Sequence, residues 1–492
     1  MSAKFDNVLR LIRANDKNNS VRIINQDNFN PEIFDVISDS RDVKAGTLFA
    51  AIKGDTSDGH DYINNAESKG ACAVLCEREV DSKLPQIIVP RVRDFLGEVA
   101  SLVYDHPSSK LLMVGVTGTN GKTTTTYIIR SILQAAGIKT GLLGTIIESD
   151  GNIEKDADRT TPESCIIQRQ LFNMVNNKCG ACVMETSSHG LYLGRIKGAL
   201  YDVAIFTNLY PEHLDFHLNM DNYFAAKKLL FTDYTKPNFT GAANFDDLYG
   251  KRLLAEFYGK IRGFGLSEDA DSRVVVSHGA INGTDLAVNC NKYGPIRLHS
   301  PLVGDFNIMN TLCAVTAMRG RIDDSAIIDG VANVPQIPGR LERIDLQNGA
   351  CCFVDFAHTP SALKSVLSVI RKLSGKDAKI ISIFGHGGGR YEKNRPELAR
   401  AASEFADEII ITSDNARDED PQLIANSIAE GATIPYKIIL DRAEAVKFAL
   451  DNSKKGDILV ITGKGPEKFL LIKDKKIPYN DTQEIIKWRD SH

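Results

Sequence analysis

The sequence predicts an α/β protein of three domains: a central parallel sheet carrying a phosphate loop and an antiparallel element, a smaller α/β domain before it, and a doubly wound domain after it. Three observations carry that prediction. Strand-like runs alternate with helical patterns along most of the 492 residues, as parallel sheets covered on both faces require. The stretch "MVGVTGTNGKTTTTYIIRSILQAAG" passes from an apolar strand through a glycine-bearing loop into a helical pattern. A chain of this length also exceeds what one hydrophobic core normally organises.

The first domain is expected over 1–107. It holds the strand-like "TLFAAI" at 47–52, a helical "DYINNAESKG" and the strand "ACAVLC". The polar "DHPSSK" at 105–110 reads as a linker. The second domain is expected over 108–336, with strands in "LLMVGV", "KTGLLGTI", "GACVME" and "VAIFTNL". Asn282-Gly283, set between alternating runs, predicts a hairpin and hence the antiparallel element. The third domain is expected over 337–492. Strands in "CCFVDFAH", "KIISIFGHG", "DEIIITSD", "YKIIL" and "DILVITGKG" alternate with four segments of helical periodicity. That pattern is Rossmann-like, with ligands expected at the carboxyl ends of the strands.

Composition is that of an ordinary globular chain, 43% hydrophobic and 25% charged. A net charge of −4 gives no basic face for nucleic acid. No apolar run reaches the length of a membrane span, and the start lacks a signal-peptide core. Nine cysteines, an odd number, read as reduced thiols in a cytoplasmic protein. Cys179 and Cys182 form a C-x-x-C without a second such pair, so buried strand residues are expected there rather than a metal or redox site. Cys351 and Cys352 are read the same way.

In the quoted loop, Gly118 and Gly121 let the backbone curl so that N–H groups point inward, and the helix amino end adds positive charge. Lys122 can reach terminal phosphates and the Thr123 hydroxyl can bind Mg2+. The common phosphate-loop pattern would place a Gly where Val116 stands, yet strand, loop and helix all occur in order. ATP is therefore the expected ligand, held by Gly118, Thr119, Asn120, Gly121, Lys122, Thr123 and Thr124. Glu185 ends one neighbouring strand, while His213 and Asp215 follow another. They are expected to converge on the triphosphate as Mg2+ ligands.

"TGTNGKTTTT" also resembles the ATP loop of the Mur ligase family, the cytoplasmic ATP-dependent enzymes that build the peptide of peptidoglycan precursors. The likeness extends in order through "DSRDVKAGTLFAAIKG", "RTTPES", "METSSHGL", "FTNLYPEHLDFH", "YFAAKKLLF", "GDFNIMN", "PGRLERI", "VDFAHTP", "FGHGGGR", "SDNAR" and "GKGPE". It is closest to the members that add the third residue to UDP-N-acetylmuramoyl-L-Ala-D-Glu. The first domain resembles their uridine-binding domain, which argues against the D-glutamate-adding and folylpolyglutamate branches.

The resemblance implies the following. Lys227, rather than Lys228, carries a CO2-derived carbamate and joins Thr123, Glu185 and His213 around Mg2+, with Lys122, Glu185, His213 and Lys227 as the catalytic set. Ser40, Asp55, Thr56 and Ser57 hold the UDP end. Thr160, Thr161, Ser187 and Arg195 grip the muramoyl dipeptide. Asn307 and Asn310 contact adenine, while Arg340 and Asp355 reach the nucleotide from the third domain, which closes over the second. Asp355 has a plainer reading, as the cap of a helix beginning near Thr359.

For the incoming amino acid, the resemblance points to Arg390, Asp414, Asn415, Arg417, Gly463 and Glu467. Members adding meso-diaminopimelate carry Asp-Asn-Pro-Arg and Gly-Lys-Gly-His-Glu. This chain keeps Arg417 and Glu467 but has Ala416 and Pro466. A guanidinium forking onto a carboxylate suits the extra carboxylate of diaminopimelate, whereas local pairing of Arg417 with Asp418, Glu419 or Asp420 is the plain alternative. Diaminopimelate is expected, with L-lysine or ornithine as the alternative, and a catalytically silent nucleotide-binding protein as the rival class. Partners are small molecules only, with no nucleic acid, no membrane insertion and a monomeric chain.

Overall fold

A computed structural model describes residues 2–25, 30–54, 57–375 and 377–492. The chain forms two compact units. The first comprises 1–275, 288–296 and 310–331, and the second 276–287, 297–309 and 332–492. The division falls inside the helix Asp305–Met318, so Asn307 belongs to the second unit and Asn310 to the first.

The first unit opens with a small sheet in which Asp35–Ile37, Thr47–Ala50, Ala71–Cys76 and Gln86–Ile88 run parallel. Its core is apolar, with Phe5, Leu48, Leu75 and Leu96 sealed from water. The expected linker is instead a packed turn, Pro107–Lys110, with Pro107 and Ser108 buried. The helix Arg93–Val103 lies tightly against the loop at Gly198. A Cβ at Gly97 would come within 2.0 Å of the Lys197 carbonyl oxygen, so only glycine permits that approach.

The large sheet of this unit places Leu112–Thr117 between Ala181–Glu185 and Tyr201–Phe206, all parallel. Thr140–Leu143 flanks them on one side, with Thr235–Asn244 and Ile261–Gly265 on the other. Leu112–Thr117 is apolar because helices cover both faces. Register then fixes the site: Glu185 pairs with Val116, and Phe206 with Thr117. The strand ends therefore form one edge, where the phosphate loop begins.

In the second unit five strands run parallel in the order Cys351–Asp355, Ile458–Thr462, Ile380–Phe384, Glu408–Ile411, Tyr436–Ile438. Glu342–Asp345 adds an antiparallel edge strand that the periodicity did not announce. The expected hairpin is present as Ser272–Ala280 and Gly283–Cys290, adjacent in their sheet. The C-terminal pair Phe469–Ile472 and Lys475–Pro478 was not foreseen.

Candidate functional site

The loop after Leu112–Thr117 takes the conformation its glycines allow. Gly118 and Gly121 have φ of +144° and +84°, a region costly for other residues. A Cβ at Gly118 would meet the Thr207 hydroxyl at 1.9 Å, and one at Gly121 the Asn310 Oδ1 at 2.3 Å. The helix Lys122–Ala135 begins directly afterwards, so its free N–H groups face the loop. The Lys122 ammonium folds back, donating to the carbonyls of Gly118 at 3.0 Å and Thr119 at 2.8 Å.

Neighbouring strand ends brace the loop. The Thr119 amide donates to the Asn208 carbonyl at 2.9 Å, and the Asn120 amide to Asn208 Oδ1 at 2.9 Å. The Thr207 hydroxyl donates to the Asn120 carbonyl at 2.6 Å. Thr119 Oγ1 lies 3.2 Å from the Tyr223 hydroxyl. Thr124 is buried in the first helical turn. Thr207, Asn208 and Tyr223 were missed in the sequence, where the first two read simply as the end of a strand.

Glu185 is fully buried. Its Oε2 accepts from the hydroxyls of Thr123 at 3.1 Å and Thr145 at 2.9 Å, and Oε1 from the Thr145 amide at 2.8 Å. Buried carboxylate oxygens need such donors to replace the water they lose. Thr145 had no sequence signal, because it stands in a loop without a motif.

Lys227 sits in the helix Met220–Thr232 and is 1% exposed. Its amine donates to the Gly118 carbonyl at 2.7 Å and lies 4.5 Å from the Tyr223 ring centre. Burial holds this amine well below its ordinary pKa, and the Lys122 charge adds to that. Lys228, one position on, pairs on the surface with Glu256 at 2.9 Å. The two lysines thus have opposite environments, one sealed against the phosphate loop and one on the surface.

His213 lies beside this group, its ring centre 6.3 Å from that of Tyr223. It has φ of +56° and an exposed ring, 4.8 Å from the His189 ring centre and edge-on to it. Asp215 is exposed in the short turn that follows. Among the described residues no three His, Cys, Asp or Glu side chains stand close enough to hold a metal. The rings of His189 and His217, the latter bonded to the Ser188 hydroxyl at 3.0 Å, complete an aromatic cluster with Phe216 and Tyr223.

The Thr160–Arg195 group is assembled. Thr160 Oγ1 lies 3.1 Å from Thr145 Oγ1. Thr161 donates its hydroxyl to the Glu185 carbonyl and accepts the Ser187 amide, both at 3.0 Å. Ser187 caps the next short helix through the Gly190 amide. Arg195 is held by Glu163 at 3.1 Å, which also takes Arg93 at 3.0 Å. Arg93 begins the helix Arg93–Val103, so the region of the small sheet orients Arg195 through Glu163. Ser40 is buried, and its carbonyl accepts from Lys69 at 2.9 Å. The Ser57 carbonyl accepts from Gly54 at 2.9 Å, while Asp55 and Thr56 lie outside the described residues.

In the second unit Asn307 is buried, its amide donating to the Val303 carbonyl at 2.8 Å. Asp355 is not a helix cap: Thr359 caps Pro360–Leu373 through the Ala362 amide. Instead Asp355 accepts the amides of Leu341 and Ala357, each at 2.8 Å, and burial raises its pKa. Arg340 lies 5.9 Å from the Phe356 ring.

Two loops carry the remaining candidates. Arg417, at φ +51°, donates to the Gly388 carbonyl. Its local pairing is not observed, because Glu419 instead binds Arg395 at 2.6 Å and the Gly389 amide at 2.5 Å. A Cβ at Gly387 would lie 3.1 Å from the Arg417 Nη1 and 3.6 Å from the Arg390 Cγ, so both arginines border one loop. Gly463, at φ +107°, approaches Asp414, where a Cβ would stand 3.1 Å from Oδ2. Buried Lys464 ties the loops together: it donates to Asn415 Oδ1 at 3.0 Å and to Glu467 Oε2, which also accepts Asn415 Nδ2 at 3.1 Å. Beneath them, fully buried Arg442 donates to Asp481 at 2.8 Å, to the Thr462 carbonyl at 2.8 Å and to the Ser413 carbonyl at 3.3 Å. Those carbonyls immediately precede the loops.

All nine cysteines are unpaired. Cys182 is in the buried strand and Cys179 points its thiol to the Asp150 carbonyl at 3.4 Å. No described helix is long and apolar enough to cross a membrane.

Comparison with known proteins returns one answer. Residues 33–104 match the Mur ligase family catalytic domain, 116–318 the Mur ligase middle domain, and 339–465 the Mur ligase glutamate ligase domain. The chain is 40% identical over 448 residues to the UDP-N-acetylmuramoyl-L-alanyl-D-glutamate–2,6-diaminopimelate ligase of Aquifex aeolicus, covering 91% of each chain. It is 37% identical over 461 residues to the enzyme of that name from Bacillus licheniformis, covering 92% of this chain and 94% of that one. A solved structure of a ligase with the same name superimposes with a TM-score of 0.69 at 28% identity, over 94% of this chain and 95% of that one.

Proposed function

The chain belongs to the Mur ligase family, and from that premise we propose that it uses ATP to join meso-diaminopimelate to UDP-N-acetylmuramoyl-L-Ala-D-Glu. The named relatives, matched over nine-tenths of their length, support the reaction. The observation that carries the chemistry is the phosphate loop flanked by buried Glu185 and by Lys227, whose buried amine donates to the Gly118 carbonyl at 2.7 Å. On this reading 1–107 binds the UDP end, 108–336 binds ATP and 337–492 binds the incoming amino acid, in a cytoplasmic monomer.

A carboxylate is a poor electrophile, since its leaving group would be oxide. Transfer of the ATP γ-phosphoryl to the dipeptide's carboxylate gives an acyl phosphate, and the diamino acid's amine then expels phosphate through a tetrahedral intermediate. Lys122 leaves its carbonyl partners to neutralise charge on the transferring group. Arg195, oriented by Glu163, holds the dipeptide carboxylate side. Arg417 and Arg390 take the distal carboxylate of the amine substrate, while Glu467 faces its ammonium.

The donor set suits Mg2+ in part: Thr123 and Glu185 offer hard oxygens in contact with one another. A neutral, buried amine is the form that adds CO2, and a carbamate on Lys227 would supply the anionic oxygen that the bare side chain lacks. With His213, these residues would hold the ion, which supplies charge neutralisation for phosphoryl transfer. The test is phosphate release from ATP with the muramoyl dipeptide nucleotide and diaminopimelate added separately and together. Release only with both, alongside a product of the tripeptide mass, is expected. ATP turnover indifferent to the dipeptide would refute the reading.

A further inference from the structure

The geometry points to a second anion-binding site in the first unit, a cavity of about 1070 Å³ fitted to a small polyphosphate-bearing ligand. It is not the phosphate loop. Its wall includes Arg319 and Arg321, just past the helix Asp305–Met318. Asn310, which touches the loop at Gly121, stands nine positions earlier, about 14 Å along a helix axis.

Charge identifies the ligand class. Lys251, Lys260, Arg262, Lys292 and Arg321 line the cavity, and none of them makes an ion pair with a carboxylate among the described residues. Only Asp269 and Asp271 oppose them on the wall, and Asp271 is engaged by the Gly263 amide at 2.7 Å. Such an excess is unexpected in a chain of net charge −4. Five cations against two carboxylates leave the concavity net positive and focus positive potential into it. An anion offsets that charge.

The cations are placed rather than scattered. Arg262 donates to the Arg319 carbonyl at 2.8 Å and lies 5.0 Å from the Tyr293 ring centre, which fixes its guanidinium on the wall. Arg319 is spent on Asp324 and on the carbonyls of Gly294 and Tyr293, so it fixes Arg262 instead of serving the cavity. Lys292 also lies over Tyr293, at 5.4 Å. The volume exceeds what a single phosphate would fill and is in the range of small-molecule pockets. Guanidinium and ammonium groups together suit several phosphoryl groups.

This site is independent of the ligase reading. Its test is calorimetric titration of the intact protein with inorganic tripolyphosphate, the phosphate loop being saturated with a non-hydrolysable ATP analogue. One further equivalent is expected to bind. Arg262→Gln, and separately the double variant Lys260→Ala/Lys292→Ala, should weaken it about tenfold or more, one charge-assisted contact being worth roughly that factor. Turnover at saturating substrates should stay unchanged in the double variant. Both lysines are exposed, so that variant remains informative where Arg262→Gln fails to fold. No binding once the loop is filled, or binding indifferent to the double variant, overturns the proposal.

Discussion

Glu185, Thr123 and Lys227 in the first unit are sealed from solvent, at 0%, 5% and 1% exposure. In the second unit Arg390 is exposed, and Arg417 and Glu467 are half-buried on loops. On the function proposed above, the difference follows from what each region does. Phosphoryl transfer rewards a dry, fixed constellation in which each charge meets its partner at close range. Selecting an amino acid needs charged groups that a soluble zwitterion can reach. The second region recovers its precision from underneath, through Lys464 bridging the loops and the buried Arg442–Asp481 pair under both.

The largest effect should come from the sealed region. Lys227→Ala is expected to lower turnover on the order of a thousandfold, as loss of an electrostatic stabiliser in a dry site does, with partial rescue by a small added carboxylate. Phosphate release measures it, and full activity in the unrescued variant would remove Lys227 from the chemistry. Next, Asp481→Asn strands the Arg442 charge in the core, which costs about 3–5 kcal/mol in comparable buried pairs. Denaturant unfolding reads this directly. A loss under about 1 kcal/mol would mean that the pair behaves as a surface contact does.

Arg417→Ala should separate the two regions most cleanly. A charged hydrogen bond of about 1.5–3 kcal/mol corresponds to a loss of ten- to a hundredfold in kcat/KM with diaminopimelate, and much less with lysine. An equal loss with both amines would make Arg417 structural. The smallest effect concerns pH. Burial first, then the charges of His189, Lys227 and His213, holds His217 down to about 4. The unfolded chain, with an ordinary imidazole near about 6.5, takes up that proton first. Stability from this residue is therefore complete above pH 6.5 and lost as pH falls toward 4. Unfolding midpoints at pH 7 and pH 5 should differ less in His217→Gln than in the parent chain.

The sealed region was also the more legible in sequence. Its loop residues are contiguous, and strand register carries Glu185 to the same edge without further information. The environment of Lys227 was not legible, because burial depends on Tyr223 and on the loop carbonyl 109 positions away. In the second unit the alternating strands and helices gave the parallel sheet, but the edge strand Glu342–Asp345 and the hairpin strands at 469–478, four residues each, are too short for periodicity to mark. Lys464 and Arg442 were missed for a related reason. Their partners lie 49 and 39 residues away, and nothing local to a lysine or arginine says that it is buried. The metal ligands were legible only as residues of one edge, since strand-end placement leaves the direction of an exposed ring such as His213 open.

The central claim is that this ligase adds diaminopimelate through the arginines of the second unit. Purified protein with ATP, Mg2+ and UDP-N-acetylmuramoyl-L-Ala-D-Glu would be offered meso-diaminopimelate, L-lysine and L-ornithine in turn, with product mass followed. Product should form with diaminopimelate and scarcely with the other two. Product with lysine or ornithine at a comparable rate, or with neither of them nor diaminopimelate, would contradict it.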